Sequence, residues 1–535
     1  LGHLRSLPCG WLGPIGFVGY NPQLPMTIAT RRQMARSAGL VSILFAASRL
    51  LGLLREVVIG ARFGTGADLD AYLAAFRVPD LIFYLVAGGA LASAFIPTFT
   101  ACLAREDDPR RRAAWRLASS VANMLLLVTT VLAIVAALLA RPLVAALIAP
   151  GFSPAQQALT AQLMTVMLLA PIISGISGII MGILNSFQHF LAPALAPVLY
   201  NLLILLAAWF LAPPLGVYGL AIGVVACALA HLLGPLPALL RRRPLYTPTL
   251  GLDNPDVREV GRLMGPRVLG LAAVQINFLV SANLASRLGA GSISALNYAW
   301  LLMLLPQGII AQGIATAIFP TLSAQAARGQ IGALRSTLNA ALRAVLWLTV
   351  PAAVGLFILR MPVIQVFFQR GQFTADSTAM TAYALAFFTF GLVAHSLLEV
   401  VTRAFYAVHD TWTPVKIGIA AMALNLVLSL LLLRPLSFGG LALANTIATT
   451  AETLALLWLI RPRVNGLGGR RLMASLGRAL PGTLAMAGAL LIFRELSAGW
   501  SPWLVAGGGI LLGGAVYAAF ALLLGRSDLQ PLLRR

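Results

Sequence analysis

Residues 48–99 read SRLLGLLREVVIGARFGTGADLDAYLAAFRVPDLIFYLVAGGALASAFIPTF. Two apolar runs, each long enough for the roughly 30 Å of a bilayer's hydrocarbon, are joined by a short Gly-rich turn. Charges sit inside both runs: Arg49, Arg55 and Glu56 in the first, Asp70, Arg77 and Asp80 in the second. A charge inside a membrane helix is costly and by default marks a substrate or ion path. Arg49 and Glu56 are seven apart and share a helix face. Arg55 lies about 120° round the wheel from Arg49, so both flank a cavity only if it is wide. Structural alternatives stand beside this reading. Arg49 with Glu56, and Arg77 with Asp80 or Asp70, are spaced to pair along a helix, and Asp70 is placed to cap the second helix.

The rest of the chain fits the same medium. Of 535 residues, 59% are hydrophobic and only 10% are charged, with mean hydropathy +0.88. Soluble domains are about 25% charged, so a soluble enzyme, a disordered chain and a nucleic-acid-binding domain are excluded. Apolar runs bounded by Arg, Pro or Gly predict an all-α polytopic membrane protein of fourteen transmembrane helices. The second run (68–103) carries Pro79, Gly88, Gly89 and Pro97 and is expected to kink. Residues 1–36, rich in Gly and Pro, read as a disordered tail without a signal peptide, with Met26 or Met34 as candidate starts.

Net charge is +22, and all but Lys416 of the 38 bases are arginine. With the N-terminus inside, 28 bases fall on the cytoplasmic side and seven outside. The positive-inside bias therefore predicts N-in and C-in. A repeat is also legible. LARPLVAALIAPGFS (139–153) matches LRMPVIQVFFQRGQF (359–373), and FIPTFTACLAR (95–105) matches IFPTLSAQAAR (318–328). His189 and His409 each close a helix and precede a proline, Pro193 or Pro414. The repeated unit holds six helices, an even number, so the two copies run parallel; substrate sites lie between such halves. The expected organisation is a lobe at 37–240, a cytoplasmic linker at 241–257, a second lobe at 258–461 and two extra helices at 472–525.

Elsewhere, Glu399 and Arg403 are four apart and read as an intrahelical pair or a gating site, and Glu452 as a candidate ion-coupling acid. Gln275, Asn277 and Asn283 read as helix-packing groups. Cys9, Cys102 and Cys227 are scattered, so no metal or disulfide is expected. ATP-binding, metalloprotease and serine-hydrolase motifs are missing. The chain is thus expected to be no enzyme and to hold no cofactor beyond a coupling ion, Na+ or H+. Clustered arginines suit a diphosphate, which they bind bidentately, and the two extra helices could form a groove for a lipid tail.

The 48–99 block resembles the N-terminal signature of the MurJ/MviN family, lipid II flippases of bacterial peptidoglycan synthesis. APGF (149–152), ILNSFQHFLAPALAPVLYN (183–201), GQFT (371–374) and FYAVHDTWTPVKI (405–417) support it. The resemblance covers about 37–465. It implies the fold of the multidrug/oligosaccharidyl-lipid/polysaccharide exporter superfamily, with six, six and two helices. It further implies lipid II, an undecaprenyl-pyrophosphate-linked precursor, as partner, and the bacterial inner membrane as location. Carried over by motif, Arg49, Arg55 and Asp70 match positions that matter for flipping, Glu56 a usual acid and Arg77 a usual base. Phe83 and Leu301 stand where better-known members carry cavity arginines, and Gly88 where many carry Glu. The alternatives are a flippase for another isoprenoid-linked oligosaccharide and a cation-coupled drug antiporter.

Overall fold

A computed structural model describes residues 28–86, 90–105, 111–189 and 191–524. All regular structure among them is helical. In chain order we label α1 (Ile28–Phe63) and α2, in three pieces (Ala67–Ala75, Arg77–Val86, Ala90–Arg105). Then come α3 (Arg112–Leu138), α4 (Pro154–Ser186), α5 (Leu191–Leu215), α6 (Val217–Leu240) and α7 (Pro255–Ser286). They are followed by α8 (Ser292–Ala327), α9 (Ile331–Ile358) and α10 (Ala375–Ala407). The 49-residue run Trp412–Ile460 is broken at Ser437, whose φ is 51°, giving α11 (412–436) and α12 (438–460). α13 (Gly469–Leu496) and α14 (Pro502–Leu524) end the described chain. Among the described residues, ten helices are long and apolar enough to cross a membrane.

Local chemistry explains the breaks. α2 is interrupted between Ala75 and Arg77, one turn before Pro79. A proline ring clashes with the carbonyl four residues earlier, here that of Ala75, and brings no N–H to bond it. Pro97 lies inside an unbroken piece, and Gly88 and Gly89 lie outside the described residues. α8 changes to a π-helical turn over Gly308–Gln312, just past Pro306. The expected tail is corrected in part: residues 1–27 lie outside the described residues, but α1 already begins at Ile28. No proline follows Pro25 there, and Ala, Arg, Gln and Met favour helix.

The repeat is visible in matching devices. α4 and α10 end alike: Gln188 and His409 take left-handed φ of 58° and 60°. The next N–H groups, of His189 and Asp410, bond Leu184 and Phe405 carbonyls at 2.8 and 3.0 Å. This six-to-one closure is the Schellman motif. Gln188, rather than His189, is thus the counterpart of His409. After α3 and after α9 come short helical segments, Val144–Ile148 and Arg360–Phe367, that lead into the glycines of the repeated motif, Gly151 and Gly371. α7 packs along α2, and α1 along α5. α13 packs on α9, where Trp347 Nε1 donates to Ser475 Oγ at 2.9 Å.

The segment between α6 and α7, residues 241–254, is an extended strap laid on α3. Thr247 N donates to Ser119 Oγ (3.1 Å), and Asn123 Nδ2 donates to the Thr249 carbonyl (2.9 Å). Tyr246 Oη donates to Asn123 Oδ1 (2.9 Å). Asn254 then caps α7 by accepting from Asp256 N.

Candidate functional site

A cavity of about 210 Å³ lies between α1, α2, α5 and α8. Four of the charges singled out in the sequence line it: Arg55, Glu56, Arg77 and Asp80. α1 aims Arg55 inward and α5 holds it there, because Arg55 Nη1 donates to Asn201 Oδ1 at 3.1 Å. Asn201 is itself fixed, its Nδ2 donating to the Ser48 carbonyl and Oγ, both at 3.1 Å. Glu56 pairs with its neighbour Arg55 (2.5 Å), and the Arg49–Glu56 alternative is not formed. Arg77 makes no ion pair with Asp80. Its guanidinium lies 5.5 Å from the Phe278 ring centroid on α7, a cation–π contact, and its Nε is buried without a hydrogen-bond partner among the described residues. The cavity therefore holds one arginine paired directly with a carboxylate and one that is not.

Arg49 is placed elsewhere. Its side chain leaves the cavity wall and donates to Gln312 Oε1 on α8 at 3.0 Å. The 120° wheel separation explains this, since a cavity of this size takes only one of the two faces. Asp70 is also outside the wall and fully buried. Its oxygens accept from Gly291 N and Ser294 N, each at 2.7 Å. The expected cap thus exists, but on α8 of the other repeat rather than on α2. Sequence reading missed Tyr72, Tyr200, Asn297 and Tyr298, the other polar residues of the lining. Asn201 carried a signal, a lone amide in mid-helix four residues after Pro197. The tyrosines carried none.

The end of the cavity near Asp70, opposite the arginine-rich loops, is sealed by contacts between the repeats. Gln372 N donates to the Ala61 carbonyl (2.8 Å), and Thr65 Oγ1 to Ser377 Oγ (2.8 Å). Gly151 N donates to Ser286 Oγ (3.2 Å), and Asn283 Nδ2 to the Leu147 carbonyl (2.7 Å). Gly64 and Gly371 both have φ of 58°. A Cβ on Gly371 would meet the Ala61 oxygen at 2.2 Å, and one on Gly64 the Gln372 oxygen at 2.3 Å. Only glycine permits this approach and this φ. The crossings mirror each other: Gly151 of the first repeat sits on the end of α7, and Gly371 of the second on the end of α1.

A family model described as "Lipid II flippase MurJ" matches residues 59–507. The chain belongs to the lipid II flippase MurJ family. It is 32% identical over 513 residues to "Probable lipid II flippase MurJ" of Vibrio cholerae serotype O1, covering 93% of this chain and 97% of that one. A solved MurJ, described as "inward closed conformation", superposes with TM-score 0.77 at 26% identity, covering 92% of this chain and 99% of that one. An inward-facing multidrug resistance MATE transporter of the MOP superfamily shares the fold, with TM-score 0.64 at 16% identity over 79% and 98% of the two chains. As a MurJ-family protein the chain is a multi-pass protein of the bacterial inner membrane and no enzyme.

Phe83 and Leu301, where the family resemblance implied cavity arginines, are apolar and packed. Phe83 packs edge-on to Tyr84 (centroids 5.5 Å), and Leu301 packs against the core. Of the gating candidates, Arg403 donates to Glu399 at 2.9 Å and lies 5.9 Å from the Phe319 ring. Glu452 faces α11, its Oε1 3.3 Å from where a Cβ on Gly418 would stand. None of the three lines the cavity, and neither α13 nor α14 contributes to its wall. Asn277 accepts from Asn425 Nδ2 (2.8 Å), joining α7 to α11. Among the described residues no His, Cys, Asp and Glu gather as a metal site would require.

Proposed function

We propose that this chain carries lipid II from the inner to the outer leaflet, with Arg55 and Arg77 receiving the diphosphate. The single observation behind the site is that these two guanidiniums share one cavity, sealed at the end opposite the arginine-rich loops. By the positive-inside bias that end faces outward, so headgroups enter from the cytoplasm. The planar forks of two arginines match the oxygens of a diphosphate. Glu56, paired with Arg55, and Asp80, on the same wall, offset the two positive charges overall, which lowers the cost of holding guanidiniums away from water. Transport then requires the repeats to part where Asp70 grips α8 and to close at the basic end. An ion gradient or the membrane potential, about 2.3 kcal/mol per charge per 100 mV, would supply the energy. Glu399, Arg403 and Glu452 are the acids and base we assign to coupling or gating.

The test is rescue of a bacterium depleted of its own flippase. Arg55→Ala should reach the membrane and fail to restore growth, and Arg77→Ala should do the same. Normal growth with Arg55→Ala would overturn the assignment. The apolar replacements at Phe83 and Leu301 favour one alternative, another isoprenoid-linked oligosaccharide as cargo. Rescue of a capsule or O-antigen defect without rescue of lipid II depletion would select it.

A further inference from the structure

The cavity is built mostly by the first repeat, yet Asn297 and Tyr298 of α8 close one wall. Tyr298 is fully buried, and its hydroxyl has no hydrogen-bond partner among the described residues. A buried phenol normally finds one, because leaving it unpaired costs free energy. It has no freedom to turn away. The ring is held by Phe368 (centroids 4.8 Å) and by Phe373 (5.4 Å). On the remaining side is Gly60, where even a Cβ would stand 3.3 Å from the hydroxyl oxygen. The second orphaned polar atom of the same wall system is Arg77 Nε. Both residues, on opposite repeats, line the same cavity, and each holds a polar atom with no hydrogen-bond partner among the described residues.

Their chemistries differ. A guanidinium answers the charge of a diphosphate. A neutral hydroxyl and a neutral carboxamide each donate and accept, and add little to the grip on a bare anion. They suit a group that also donates and accepts: the hydroxyls and acetamido groups of an amino sugar, with the Tyr72 and Tyr200 rings nearby for its apolar face. We propose that Tyr298, with Asn297, is a specificity residue that reads the saccharide of the headgroup while the arginines hold the diphosphate. This rests on the function proposed above and names the part of the substrate that the second repeat recognises. A site built to bond a hydroxyl discriminates strongly against a ligand lacking it, because its own polar group is then left unpaired.

The experiment compares two probes on the full chain in nanodiscs: a polyprenyl diphosphate without sugar, and the same lipid diphosphate carrying the N-acetylated disaccharide of lipid II. Tyr298→Phe keeps the ring contacts and removes only the hydroxyl, so it should melt no lower than the parent. It should weaken the sugar-bearing lipid by about 10-fold, the loss of one well-made hydrogen bond, and leave the sugarless lipid within about 2-fold. Asn297→Ala should show the same selectivity. Equal effects on both lipids, or no effect on either, would overturn the proposal. Arg55→Ala separates the two readings. It should weaken both lipids, and if it changes neither, the diphosphate site itself is wrong. An Arg55 effect without Tyr298 selectivity sinks only the sugar assignment.

Discussion

The two ends of this molecule are fastened by different kinds of contact. At the end that carries Asp70, bonds run from one repeat to the other: Gln372 to Ala61, Thr65 to Ser377, Gly291 and Ser294 to Asp70. At the basic end one bond crosses between the repeats, Cys102 Sγ of α2 to Asp256 Oδ2 of α7 at 3.4 Å; the others that stand out stay inside one half. Arg463 pairs with Asp410 and stacks 5.0 Å from the Phe405 ring, all within the second repeat. The strap at 245–249 holds to α3 of the first. One end is therefore a joint between bodies, and the other, apart from the edge where α7 meets α2, reinforces each body separately. A transporter that opens alternately needs its reversible contacts in the first class and its permanent ones in the second.

The sharpest way to break this contrast is to forbid the close crossing. Gly371→Ala or Gly64→Ala places a methyl about 1 Å inside van der Waals range of a backbone carbonyl, at a φ that L-residues resist. We expect a cost of more than about 3 kcal/mol, specifically to the sealed form. Spin labels on Asp68→Cys and Asp376→Cys, both exposed at this end, should move apart by several Å in either variant. An unchanged distance would mean that the crossing does not hold the seal.

Next in size is Asp70→Ala. It removes two charge-assisted bonds and strands two helix N–H groups, for about 3 kcal/mol. Asp70→Asn, which still accepts one bond well, should lose roughly half as much. Thermal melting reads both. If Asp70→Ala melts like the parent, the contact between α2 and α8 adds nothing and the joint rests on backbone alone.

The smallest effect belongs to the basic end. Burial pushes the Asp410 carboxyl up, but hydrogen bonds from Thr413 and the charge of Arg463 outweigh it and leave the group below the ordinary carboxylate value. A depressed value in the folded state stabilises above the ordinary carboxylate range, and that stabilisation fades as pH falls through the folded value. Asp410→Asn should cost about 0.5 kcal/mol near neutral pH, and the gap from the parent should shrink in acid. The spin-label distance at the opposite end should stay put. Were it to shift, the two ends would not be independent.

Much of this was legible in the sequence, for physical reasons. Hydropathy and Arg placement gave the helices, since a helix in lipid must be apolar throughout. The intramembrane charges gave four cavity residues, because charge in lipid is expensive wherever it occurs. Pairing was less legible. Arg49 and Glu56 share a face on a wheel, yet Glu56 bonds Arg55, because Asn201 on α5 draws that guanidinium round. Asp70 looked like a cap for its own helix and caps a partner 221 residues away, which spacing along one helix does not reveal. Tyr298 was invisible. A tyrosine in an apolar run looks like any other, until folding buries its hydroxyl in a cavity wall with no hydrogen-bond partner among the described residues.

The strap over α3 has a mechanical consequence. With Thr247 and Thr249 stapled to Ser119 and Asn123, the slack between the halves shrinks to residues 250–254, a leash of roughly 17 Å at full stretch. The start of α7 is therefore tied within that reach of α3, so at the basic end the second half is held to the first by a short tether and not by a free-swinging linker.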